Sequence, residues 1–244
     1  MIKWAKERGI IIAEFQHGVV SKMHPAYNYG EAILNSEEYR KYTPDYYLTY
    51  GEYWNNQIKI PGKTYVVGNP HFHESIKRYK DIEEEKGTIL IVSQPNISDF
   101  FIKLALKISK IFPEHKIIYK LHPAEFKQRE KYEELEIFNN INIVENEDIY
   151  KLIKKSEYII GYNSTSLFQA YGFNKKIYVF DDEMSQIYIP ESIGIRFKTV
   201  EELISLIKNQ TLVENTKINI DYFFNRNWKK NYVKFLTKEI GLDI

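Results

Sequence analysis

The sequence contains no cysteine, which excludes disulfides, thiolate-bound zinc and thiol nucleophiles and fits a reducing compartment. It also lacks any apolar run near the roughly 20 residues that a membrane-spanning helix needs. The opening Met1-Ile2-Lys3-Trp4-Ala5-Lys6-Glu7-Arg8 has none of the apolar core of a secretory signal. The expectation is therefore a cytoplasmic protein, with peripheral contact at the inner face of the membrane through a few aromatic and basic residues. Charge of one sign is scarce as well: 34 Lys+Arg against 33 Asp+Glu leave a formal charge of +1. Proteins that grip nucleic acid through its phosphates carry a basic excess, so no nucleic-acid partner is expected. Neither a P-loop nor a Gly-rich dinucleotide fingerprint occurs, which removes support from ATPase and dehydrogenase readings.

What is present is alternation. Across residues 88–210, short apolar runs (Thr88–Val92, Lys116–Leu121, Ile141–Val144, Tyr158–Ile160, Lys176–Phe180) are separated by segments of helical period. Ser98 reads as an N-cap with Asp99 in the first turn, and Pro113 closes that helix. A polar helical stretch follows from about Glu125 to Leu135, then a helix over Asp148–Lys155. Ser166–Tyr171 is a further helix, stopped by Gly172. Thr199-Val200-Glu201-Glu202 is a capping box for Leu203–Lys208. Five strands joined by helices imply a parallel, doubly wound sheet, whose ligands sit beyond the carboxyl ends of the strands. Residues 1–70 are less regular. Ile2–Arg8 reads as a helix tail with Gly9 as its stop, and Ile10–Phe15, Tyr46–Thr49 and Thr64–Val67 read as strands. Gly68-Asn69-Pro70 is the best linker candidate, and Tyr222–Ile240 has near-helical aromatic spacing.

The strand-end rule selects three clusters. Lys120-Leu121-His122-Pro123 puts an imidazole directly after a buried strand, where it can donate to a phosphate or ribose oxygen; Lys120 adds positive charge on the same side. A turn histidine that caps neighbouring backbone explains His122 equally well. Gly161-Tyr162-Asn163-Ser164-Thr165-Ser166 gathers three hydroxyls and free amides at a helix start, a site suited to anionic oxygen. Simple N-capping requires only one of them. Glu14-Phe15-Gln16-His17-Gly18 ends another strand, and His17 can serve as general base or be a buried, satisfied turn histidine. His24-Pro25 follows in a loop with Tyr27 and Tyr29 that can contact an acceptor. His71 and His73 lack an evident third ligand and are read as structural, and Asp181-Asp182 as a loop pair.

In their order along the chain, Q-H-G after a strand, V-V-G-N-P, K-L-H-P and Y-N-S-T-S-L-F-Q-A resemble bacterial surface-polysaccharide transferases of the GT-B fold. The similar groups are the capsule-polysaccharide synthesis transferases, including Kdo and polysialic acid transferases, and the CDP-glycerol glycerophosphotransferases. The resemblance implies an α/β, GT-B-like fold: one complete Rossmann-like parallel-sheet domain plus a partial second one. Its implied divisions are a partial acceptor-side domain over 1–68, a nucleotide-donor-binding domain over 69–220, and a C-terminal helix over 221–244 packing back on the body. It assigns donor binding to His122, Ser164, Thr165 and Ser166, with Lys120 beside them, and catalysis to His17; Glu14 and His24 fall on the acceptor side. It implies no metal and no cofactor other than a nucleotide-activated donor, CMP- or CDP-linked, with a polysaccharide or lipid-linked acceptor as partner. A sugar-nucleotide epimerase would need carboxylates for proton transfer, and Glu14 and Glu125 are the candidates. A nucleotide-binding remnant without catalysis is the non-enzyme alternative. In such families several strands precede Q-H-G, which here begins at residue 16. Most of the acceptor-side domain is therefore expected to be missing, leaving an apolar sheet edge for self-association or a partner chain.

Overall fold

Parallel strands cannot be joined by tight turns, so each apolar run must be followed by a crossover before the next strand can pair. The computed structural model, which describes residues 1–210 and 219–243, obeys this throughout. The chain divides into two compact units, Met1–Glu74 with Ile218–Ile244, and Ser75–Lys217.

The first unit holds a three-stranded parallel sheet of β1 (Ala13–Phe15), β2 (Tyr46–Thr49) and β3 (Lys63–Val66), in that order. Short helix α1 (Ile2–Lys6) precedes them, and α2 (Glu31–Leu34), α3 (Glu37–Arg40) and α4 (Glu52–Asn55) connect them. The strand expected over Ile10–Phe15 is half that length. The Ile10 amide bonds the Ala5 carbonyl of the preceding helix and the Ile12 amide bonds Asp45 at 2.9 Å, so the ladder begins only at Ala13. β1 lies at the sheet edge with β2 as its one neighbour among the described residues, and Phe15 is 52% exposed. The C-terminal segment, a 3-10 turn at Ile220–Tyr222, α11 (Trp228–Lys234) and a π turn at Phe235–Glu239, belongs to this unit. Phe235 packs on Tyr46, Leu48 and Val67. The fully buried Trp54 donates its indole N–H to the Phe223 carbonyl at 2.7 Å. Gly68-Asn69-Pro70 is not an open linker: Pro70 opens α5 (Pro70–Arg78), and the Asn69 side chain accepts the Phe72 amide. Proline fits a first helical position because no amide is needed there.

The second unit is a six-stranded, all-parallel sheet. Its strands are β4 (Glu85–Val92), β5 (Lys116–Lys120), β6 (Ile141–Val144), β7 (Ser156–Gly161), β8 (Lys176–Phe180) and β9 (Ile195–Phe197). The spatial order β6-β5-β4-β7-β8-β9 places the two central strands, β4 and β7, in the heart of the core. Ile89, Ile91, Ile160, Phe101, Leu104 and Ile108 are all fully or almost fully excluded from water there, each such side chain contributing about 1.5–3 kcal/mol. The crossovers are α6 (Ser98–Ile111), a long 3-10 segment at Pro123–Ile137, α7 (Ile149–Lys155), α8 (Thr165–Gly172) and α9 (Glu183–Tyr188); α10 (Val200–Lys208) follows β9. Five strands were expected and six are found. Ser98 is the first residue of α6 rather than its cap: its hydroxyl donates to the Pro95 carbonyl and accepts from Lys131. The stretch near Glu125–Leu135 is 3-10 rather than α, broken at Gln128. Thr199 caps α10 through the Glu202 amide, but Glu202 reaches the Lys198 amide, so half of the capping box forms. No helix among the described residues is long and apolar enough to cross a membrane.

Candidate functional site

In an all-parallel sheet every strand delivers its next residue to the same rim. The register aligns Val92 of β4 with Lys120 of β5, and Ile91 of β4 with Ile160 of β7. The exits of β5 and β7 therefore flank β4, two strand spacings or about 10 Å apart. His122 follows the first exit and Ser164 the second. More than forty positions separate them in sequence, and the sheet brings them to one rim.

His122 is fixed from both sides. It caps the 3-10 segment, its Nδ1 accepting the Ala124 amide at 3.1 Å, while its own amide donates to Glu125 Oε2 at 2.7 Å. The capping reading of His122 is thus correct for Nδ1, and it leaves room for the other. A neutral imidazole whose Nδ1 accepts carries its proton on Nε2, so the remaining ring atom is a donor suited to an anionic oxygen. Glu125 is 1% exposed and receives two further hydrogen bonds, from Ser93 Oγ at 2.8 Å and from the Tyr132 hydroxyl at 2.5 Å. Ser93, the first residue after β4, also lies 3.1 Å from the Tyr119 hydroxyl. A carboxylate held by three donors and sealed from solvent is a scaffold for the His122 loop. Its enclosure and its three donors set it apart from an open carboxylate placed against a substrate.

Ser164 caps α8, its hydroxyl accepting the Ser166 amide at 3.2 Å. Capping uses one hydroxyl of the three. Those of Thr165 and Ser166, both half-buried, have no hydrogen-bond partner among the described residues. The buried Tyr162 donates to Asp182 at 2.6 Å, and burial together with that bond pushes its phenol well above the ordinary range. Asp182 in turn caps α9, and Asp181 pairs with Arg196 at 3.3 Å, so this acidic pair is structural. Lys120, expected to add positive charge on the same side of the strand as His122, is held by two carbonyls. Its ammonium donates to the carbonyls of Leu121 and Glu145, on the β6 side, and burial lowers its pKa.

At the exit of β1, Gln16 is buried and ties three segments: its amide to the Leu48 carbonyl, its side-chain amide to the Gly18 carbonyl, and its carbonyl to the Tyr50 amide. That clamp leaves His17 exposed, with no hydrogen-bond partner among the described residues, its ring 6.3 Å from Tyr27. The buried, satisfied histidine weighed for this position is not what forms. The His24 ring lies tilted, its centroid 4.9 Å from that of the same Tyr27, and its Nδ1 accepts the Ala26 amide. Burial, then the proximity of His17, lowers its pKa. Glu14 accepts the Tyr27 hydroxyl at 2.5 Å.

His73 serves packing. Its Nε2 lies 3.1 Å from the carbonyls of both Phe224 and Asn225, and no group of three metal-ligating residues occurs among the described residues. Burial lowers the His73 pKa despite those bonds. Because the folded state then binds a proton less readily than the unfolded one, stability falls as pH drops through the ~6.5 of an unfolded histidine. The urea midpoint is expected to decline between about pH 7 and pH 5, above the carboxylate range. His73→Gln should flatten that decline; an unchanged slope would show that His73 does not drive it.

Sequence reasoning missed Ser93, Tyr119 and Tyr132. Glu125 was identified, but its partners were not; the spacing His122-Pro-x-Glu125, a cap residue with an acid three positions on, was the available signal.

These features define a GT-B-like α/β fold with two Rossmann-like units, one of six strands and one of three. No family model and no curated protein matches the chain. Solved structures do. The UDP-GlcNAc 2-epimerase of Methanocaldococcus jannaschii, in complex with UDP-GlcNAc and UDP, is 17% identical with a TM-score of 0.66, over 96% of this chain and 70% of that one. S. aureus MnaA, in its UDP co-structure, is 15% identical with a TM-score of 0.66, over 98% and 70%. The pneumococcal O-GlcNAc transferase GtfA, in complex with UDP and GlcNAc, is 12% identical with a TM-score of 0.59, over 97% and 54%. At these identities the likeness is one of fold.

Proposed function

We propose that the chain is a cytoplasmic nucleotide-sugar enzyme of the glycosyltransferase type. It moves a sugar or glycerophosphate from a nucleotide-activated donor to a cell-surface polysaccharide or lipid-linked acceptor. The observation that carries this reading is the convergence of the His122 imidazole and the Ser164–Ser166 hydroxyls on one rim of a parallel sheet. In sugar transfer the bond from donor carbon to phosphate oxygen breaks, and in glycerophosphate transfer the phosphorus–oxygen bond between the two phosphates breaks; in both, negative charge grows on the departing phosphate. A neutral Nε2–H, two free hydroxyls and a helix start are donors that need no reorganisation to meet it. In this scheme His17 takes the proton of the acceptor hydroxyl as that oxygen bonds the sugar carbon, or the phosphorus of a transferred glycerophosphate, and Glu14 and His24 serve the acceptor side. The donor is a nucleoside mono- or diphosphate conjugate. The resemblance of K-L-H-P and Y-N-S-T-S favours cytidine, and the UDP in the similar solved structures favours uridine.

Sugar-nucleotide epimerisation is the second reading, favoured by the names of two of those structures and opposed by the enclosure of Glu125. A thermal-shift panel of CMP, CDP, UDP and GDP tests the donor site. One nucleotide at a hundredfold excess over its Kd should stabilise the protein by about 2.7 kcal/mol. His122→Ala and Ser166→Ala should each weaken that nucleotide about tenfold or more. No shift with any nucleotide removes the site. Incubation with UDP-GlcNAc, followed by NMR, then separates inversion at the sugar's second carbon from release of UDP.

A further inference from the structure

Within the first unit, the side chains between β1, β2 and α3 do not close on one another. They leave a cavity of about 250 Å³ lined by Glu14, Tyr27, Tyr29, Tyr39, Tyr42 and Tyr47 together with a few aliphatic residues and Thr43. Five tyrosines and one carboxylate line it, and no lysine or arginine does. The rings sit in two groups: Tyr27 against Tyr47, centroids 4.6 Å apart, and Tyr29 against Tyr39 at 5.6 Å. The Lys3 ammonium bonds the Tyr42 hydroxyl at 3.1 Å and stands 5.1 Å from that ring's centroid, at the exposed side of the cluster.

The polar atoms are arranged for a positive guest. Burial, then the bond to Glu14, raises the Tyr27 pKa to about 12, so at neutral pH this phenol is a donor. It occupies Glu14 Oε1. Glu14 Oε2 is left without a partner among the described residues, and so is the buried Tyr47 hydroxyl. Aromatic faces attract cations through their quadrupole, and the gain is largest for weakly hydrated organic ammonium groups that lose little on leaving water. The volume falls below the ~300–1,000 Å³ typical of drug-sized sites, which suits a head group and excludes a chain of sugar rings.

We infer that this cavity, formed by Glu14 with Tyr27, Tyr29, Tyr39, Tyr42 and Tyr47, is a binding site for a small organic ammonium ion. It requires no nucleotide and uses none of the donor-site residues; Glu14 is the one residue it shares with the acceptor side of the proposed reaction.

Isothermal titration with choline and with its uncharged carbon isostere 3,3-dimethylbutan-1-ol tests this on the wild-type chain. Choline should bind at least tenfold more tightly than the isostere. Glu14→Gln preserves an acceptor for the Tyr27 hydroxyl and removes the charge. It should weaken choline about tenfold while leaving the isostere unchanged. Tyr39→Leu, at the opposite group of rings, should weaken choline about fivefold. Equal binding of choline and isostere would make the cavity a merely apolar hole and overturn the proposal. Absence of choline binding at tens of millimolar would overturn it as well.

Discussion

Glu125→Ala is expected to lower the stability of the protein by about 4 kcal/mol, at ~1–2 kcal/mol for each of three donors left without an acceptor. The donors are Ser93 Oγ, the Tyr132 hydroxyl and the His122 amide, all converging on a carboxylate that is 1% exposed. Water cannot readily replace the lost oxygens, because the site is sealed by Tyr119 and Tyr132, themselves 0% and 1% exposed. For a chain of this size the thermal midpoint should fall by roughly 8–16 °C, a large share of the ~5–15 kcal/mol that holds a domain together. Glu125→Gln separates charge from shape. Its carbonyl can still accept from Ser93 and Tyr132, but its amide nitrogen faces the His122 N–H donor to donor, so about half of the loss is expected. The same variants should disturb the His122 ring, since the His122 amide is one of two bonds that orient the imidazole, and should weaken the proposed nucleotide site with it. A shift below about 1 kcal/mol in Glu125→Ala would show that the three bonds do not form a network.

The second unit was legible because its strands are buried on both faces. A strand covered by helices on each side must be apolar along its length, and Lys176–Phe180 is legible with its observed boundaries for that reason; Ile141–Val144, an edge strand with Asn142 exposed, is legible as a short apolar run between polar segments. β9 escaped because it spans three residues with Arg196 at its centre. That guanidinium is accommodated by Asp181 and the Ile189 carbonyl, a compensation that only tertiary structure supplies. α9 escaped because a six-residue segment carries too little periodicity. The site divided along the same line. That His122 and Ser164 share a rim follows from strand alternation alone, and alternation is a local signal. What each side chain does beyond that depends on partners far away in sequence. Lys120 turns to a carbonyl 25 residues on, and Glu125 collects donors from 32 residues before it and seven after. In the first unit, the exposure of His17 depends on Gln16 reaching Tyr50, 34 residues away, and nothing in Q-H-G itself announces that.

Gly68→Ala is expected to destabilise the first unit by about 3 kcal/mol, combining ~1–2 kcal/mol for a side chain in the left-handed region with ~1–3 kcal/mol for overpacking. Gly68 has φ +87°, which an alanine rarely adopts, and the new Cβ would stand 2.5 Å from the Asn225 carbonyl oxygen and 2.8 Å from Trp228 Cβ. The first of these is backbone and cannot swing aside as a flexible side chain would. The segment carrying Asn225 and Trp228 would have to retreat, and its seat matters: Phe224 stacks on Phe72 at 4.2 Å and Phe235 fills the space over Tyr46 and Leu48. Limited proteolysis should therefore cut the variant within residues 219–243 several-fold faster than the wild type, alongside a lower thermal midpoint. Gly18→Ala supplies the comparison, since its Cβ would meet nothing within 4 Å and should change stability by no more than about 0.5 kcal/mol. If Gly68→Ala behaved like Gly18→Ala, the C-terminal segment would not be seated against Gly68 in solution.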